Sequence, residues 1–136
     1  MRAFLAAITF TLLLASTQVS ARQRHDYHHH HHSTRDEARG RPSACAGIPW
    51  CGCWLRHHLG LADVRLNRAI AWARIGSPAS APAAGIVAVW RHHVGLITEN
   101  LGGGMIRILS GNDGGAVRER AISTRALGGV VAYRKV

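Results

Sequence analysis

Hydrophobic positions follow four regimes along the chain. Residues 3–15, AFLAAITFTLLLA, are apolar almost without interruption, whereas residues 22–43 contain almost no aliphatic side chain. From Trp50 the spacing becomes helical. It predicts one helix over 50–59 that stops at Gly60, a residue suited to a helix C-terminus. A second helix is expected after Asp63, whose carboxylate can cap free amides, running through VRLNRAIAWARI to Gly76. Turn-rich SPASAPAAG follows. Beyond it come five short runs rich in β-branched residues, 86–90, 93–98, 105–109, 116–122 and 130–135, separated by ENLGGG, SGNDGG and STRALGG. Helices first and hairpin-linked strands afterwards predict an α+β fold, with the N-terminal helices packed on a small antiparallel sheet of about five strands.

The first regime has the layout of an export signal. Arg2 precedes the apolar run, and Val19-Ser20-Ala21 places small residues at a cleavage site. A span needs roughly 20 apolar residues, so the run is too short to cross a bilayer. The expectation is a signal peptide over 1–21, a disordered His-rich linker over 22–43 and a folded domain over 44–136. The protein is then periplasmic or extracellular, with no stable membrane insertion once the signal is removed. His28 to His32 form a run that can hold transition metals weakly.

Charge narrows the partners. The net charge is +10, from 17 Lys plus Arg against 7 Asp plus Glu. Such a surface suits anionic polymers, and export selects those of a cell envelope over nucleic acid.

Three cysteines, Cys45, Cys51 and Cys53, lie within PSACAGIPWCGCW. An odd count in an oxidising compartment leaves at least one thiol over. Three readings compete. Cys45, Cys51, Cys53 and His57 or His58 can be arranged around zinc, but a C-x-C pair in a helix points its thiols about 200° apart. Cys45 and Cys53 can form a disulfide, leaving Cys51 free. Cys51 can also be a nucleophile, because free amides at the first turn of a helix favour thiolate and oxyanion.

A nucleophile needs a base. His58 lies about 10 Å along the same helix, too far away, and His57 faces elsewhere. His93, at the start of the second strand, shares a face with Gly95 and Ile97, and the missing side chain of Gly95 leaves room beside the imidazole. A third group that orients this ring is offered by Asn112 or Asp113 in LSGNDGG, which are equally residues of a tight turn.

These pieces resemble the small bacterial cysteine peptidases of the NlpC and CHAP families. The resemblance runs from Pro49 to Tyr133 and rests on PWC opening a helix, AIAWARIG before a proline-rich connector, GIVAVW, HVGLI, LSGN and a closing AYRK, in that order. It implies a papain-like core without cofactor or metal, Cys51 as nucleophile, His93 as general base and Asn112 as orienting residue. The implied activity is cleavage of amide bonds in peptidoglycan. The alternatives are a non-catalytic wall-binding module on the same fold and a metal-handling protein using the histidine run.

Overall fold

The computed structural model describes residues 40–136. The expected signal peptide and most of the expected linker lie outside the described residues. Among the described residues, no helix is long and apolar enough to cross a membrane.

The first expected helix is present as α1, Cys51–His58, and Gly60 follows it with a φ of 67°. Its first half is buried: Cys51, Gly52, Cys53, Trp54 and Leu55 all lie inside. The second expected helix differs. It is two 3-10 stretches, Val64–Asn67 and Ala69–Arg74, divided at Arg68, which is extended (φ −91°, ψ 125°). Asp63 does cap the first of them, accepting from the Arg65 amide at 3.0 Å. The break has a packing cause. An α-helix would give the Leu66 carbonyl to the amide four residues on. Here the Trp72 indole takes that carbonyl at 2.7 Å as the ring buries completely. Arg56 of α1 holds the Asn67 side chain at 2.9 Å. Tertiary contacts override the local helical preference.

Among the described residues, six strands form one sheet: β1 Ser77–Pro78, β2 Val87–Val89, β3 Val94–Gly102, β4 Met105–Asp113, β5 Ala116–Ser123 and β6 Ala132–Lys135. Their spatial order is β1-β6-β2-β3-β4-β5, with every pairing antiparallel. The architecture is therefore α+β with few helices. The strand not expected from the pattern is β1, which pairs Ser77 with Lys135 and Pro78 with Arg134 at one edge, where a proline costs no ladder bond. Arg134 reinforces this edge by donating to the carbonyls of Ile75 and Gly76 at 2.7 and 2.8 Å.

Strand alternation splits the core in two. Val87, Val89 and Val94 meet Trp50, Trp54, Leu55 and Trp72 on the helical side. Ala88, Trp90, Ile97, Ile106, Ile108 and Ile122 form a second cluster. Two glycines allow α1 to approach so closely. A Cβ on Gly111 of β4 would stand 2.5 Å from the Trp54 Cβ, and one on Gly52 would stand 2.5 Å from the Leu66 carbonyl oxygen. These approaches fix the N-terminus of α1 over the sheet and over the 64–67 turn.

Candidate active site

The three cysteines resolve into a staple and a free thiol. Cys45 and Cys53 are joined in a disulfide, their Cα atoms 5.9 Å apart. It ties the 3-10 turn Ser43–Cys45 to the first turn of α1. Cys51 is free and only 3% exposed. Of the three sequence readings, zinc loses its ligands here. Cys45, Cys53 and His57 bring donor atoms within 4.8 Å of one another, but the two sulfurs are bonded to each other. His57 Nε2 accepts from Arg56 at 2.9 Å, and His58 stacks on Trp54 with ring centroids 4.8 Å apart. Both histidines serve the helix surface.

Cys51 is the first residue of α1, and its sulfur is seated against the entry of β3. The thiol donates to the His92 carbonyl at 3.9 Å. Burial pushes its pKa up, while backbone amides of Gly52, Val94 and Cys51 itself pull it back. Two elements thus converge on one sulfur: the open amides of a helix start, and strand backbone on both sides of His93.

The His93 ring is half-buried and directed to Ser110, whose hydroxyl lies 3.1 Å from Nε2. Trp90 lies beside it, ring centroids 6.0 Å apart. Ser110 is fully buried on β4, and Gly95 of β3 makes room for it: a Cβ on Gly95 would come within 3.1 Å of the Ser110 Cβ. Burial pushes the His93 pKa down; the Asp113 carboxylate opposes this and Arg120 adds to it. The shift favours the neutral ring. With Nε2 engaged by Ser110, Nδ1 is the other nitrogen available.

The expected third residue differs. Asn112 sits two residues beyond Ser110 with a positive φ of 56°, leading into the hairpin turn at Gly114 and Gly115. The strand pairing breaks register there, between Ser110 and Asp113. The imidazole's partner is Ser110 instead. Asp113, the alternative, forms an ion pair with Arg120 and acts on His93 only through its charge. Ser110 carried a sequence signal: Ile106, Ile108 and Ser110 share one parity in MIRILSGND, and a hydroxyl ends an otherwise apolar buried stripe.

A cleft of about 600 Å³ opens at Cys51, with Pro49, Asn67, Arg68, Arg91 and His92 among its walls. What reaches the sulfur is the backbone on either side of His93; the His93 ring itself is hydrogen-bonded to Ser110 and is not among the walls of the cleft. In its resting geometry the thiol donates to the His92 carbonyl, one residue before His93.

In comparison with known proteins, the chain matches no family model, no curated protein and no solved structure.

Proposed function

We propose that this chain is an exported cysteine hydrolase with a papain-like core of the NlpC and CHAP kind, cleaving amide bonds in peptidoglycan. The observation that carries the reading is the seat of Cys51. A free thiol opens α1, backbone amides surround the sulfur, the backbone on either side of His93 touches it, and a cleft reaches it.

The mechanism follows from the charge states. Both pKa shifts favour neutral partners, so the resting site holds a thiol and an imidazole, not an ion pair. As substrate binds, the Cys51 proton passes to His93 and the sulfur attacks the amide carbon. The amides at the helix start stabilise the charge that develops on sulfur and carbonyl oxygen. His93 returns the proton to the departing amine, leaving a thioester. Water, deprotonated by His93, then attacks the thioester carbon and regenerates the thiol. Ser110 keeps Nε2 engaged, so that Nδ1 carries the proton traffic.

Digestion of purified peptidoglycan by wild-type and Cys51→Ala protein, with products read by mass spectrometry, tests this. New muropeptides are expected from the wild type alone. Unchanged muropeptides in both samples, with the wild-type thiol titrated as reduced, would discard the reading.

One observation favours a non-catalytic wall-binding module instead: the thiol is buried and raised in pKa. The two readings separate on peptidoglycan pull-down. A module retains wall binding with Cys51→Ala and releases nothing under any condition.

A further inference from the structure

The walls of the cleft at Cys51 carry a pattern of charge that its chemistry does not require. Arg68 and Arg91 both line it, and no acidic residue does. They come from separate elements: Arg68 is the extended break between the two 3-10 stretches, and Arg91 lies between β2 and β3. Both are exposed.

Several other arginines are committed within the fold. Arg56 binds Asn67 and the Leu61 carbonyl, Arg65 pairs with Asp63, Arg107 with Glu99, and Arg120 with Asp113. Neither Arg68 nor Arg91 makes such a bond with another described residue. An unpaired guanidinium presents a planar fork that fits a carboxylate with two parallel hydrogen bonds. The lining also includes aliphatic side chains, Ile48 and Ile70, exposed at 37% and 44%. Asn67 is already held by Arg56 and adds no charge.

We infer that Arg68 and Arg91 make this cleft a subsite for an acidic peptide, taking a free carboxylate next to the amide presented to Cys51, with small aliphatic side chains against Ile48 and Ile70. This deepens the hydrolase reading and rests on it for the word substrate; the binding itself does not depend on catalysis. The fixed charges make the peptide's own carboxylate the discriminating group. Amidation of that carboxylate removes one acceptor oxygen and the charge together, and leaves shape nearly unchanged.

The test uses full-length Cys51→Ala protein, which binds without turnover, and two dye-labelled probes read by fluorescence anisotropy. One is Ala-Glu-Ala amide; the other is Ala-Gln-Ala amide, so that the two differ at a single carboxylate. The acidic probe is expected to bind at least about 10-fold more tightly at low salt, and the preference should fade as salt screens the arginines. Arg68→Gln and Arg91→Gln, each in the Cys51→Ala background, should each lower affinity for the acidic probe several-fold and leave the neutral probe unaffected. Arg125→Gln, which removes a charge lining a different cavity, should preserve the preference. Equal affinity for the two probes overturns the inference. So does a loss with Arg125→Gln as large as with Arg68→Gln, which would mean net charge alone is responsible. A preference lost at Arg68 and Arg91, together with inert peptidoglycan in the digestion assay, would uphold the subsite and remove the hydrolase reading.

Discussion

His93 Nε2 lies 3.1 Å from the Ser110 hydroxyl, across the β3–β4 pairing. The bond is half-buried, with Ser110 itself fully inside, so the hydroxyl fixes which way the ring faces. Ser110→Ala should remove that constraint. The expected result is a drop in kcat of about 10- to 100-fold with KM little changed, since misplaced catalytic groups cost rate more than binding. The stability cost should be about 1 kcal/mol, that of one lost hydrogen bond. Steady-state kinetics and urea unfolding measure the two separately; a full loss of folding would mark Ser110 as purely structural.

Cys51→Ala should abolish hydrolysis, by at least about 1,000-fold, while leaving the fold intact because alanine replaces a small buried side chain. Cys51→Ser, which restores a hydroxyl in the same space, should not recover the rate. Comparable turnover by either variant would place the nucleophile elsewhere.

Two pH dependences follow. Burial lowers the His93 pKa, so the neutral base persists below the ordinary histidine value near ~6.5, and the acid limb of kcat/KM should fall on the low side of it. The same shift has a sign for stability. The unfolded chain binds the proton more readily than the folded one, so stability contributed by neutral His93 is full above about pH 6.5 and is lost as pH falls toward the lower folded value. His93→Gln should flatten that slope in thermal melts between about pH 7.5 and 5. Cys51, raised by burial, should take up iodoacetamide with a rate that climbs beyond the usual cysteine range near ~8.5. A rate already saturated at pH 7 would contradict the neutral resting pair.

Gly111 admits no side chain. A Cβ there would meet the Trp54 Cβ at 2.5 Å, its Cγ at 2.7 Å and Trp50 Cε3 at 3.0 Å. Gly111→Ala should therefore destabilise the protein by about 3 kcal/mol or more, the upper end of overpacking costs. It should also displace the N-terminus of α1 that carries Cys51. Gly114→Ala, on the exposed hairpin, also faces a positive φ but opposes only the flexible end of Arg118, so its cost should be smaller. Chemical denaturation of the two variants gives the comparison.

Breaking the Cys45–Cys53 bond should cost about 2–3 kcal/mol, the value expected for a closed loop of this small size. Cys45→Ser with Cys53→Ser, compared with wild type by thermal unfolding, tests it.

Much of this was legible in the residues. Trp50 to Leu59, closed by Gly60, predicted α1 to within a residue at each end. The five β-branched runs became β2 to β6. Leu66 and Trp72 mark where local pattern stopped sufficing. Their side-chain-to-backbone bond depends on a core that α1 and the sheet build together, so the helix expected over 64–75 gave way to two tight turns. β1 was hidden because Ser-Pro reads as a turn until β6 lies alongside it. Asn112, with Asp113 as its alternative, was expected from the resemblance; its positive φ places it at the hairpin bend, and the His93 ring meets Ser110. The alternation of β4 already pointed to Ser110.

The staple between Cys45 and Cys53 also decides how oxidants meet this protein. With those two sulfurs engaged, Cys51 has no vacant partner in its own neighbourhood. A mixed disulfide at Cys51 must come from a small thiol or from another chain, arriving through the cleft. Protein folded under aerobic conditions should therefore emerge with Cys51 still reduced, and occupancy of the cleft should shield that sulfur from the outside world.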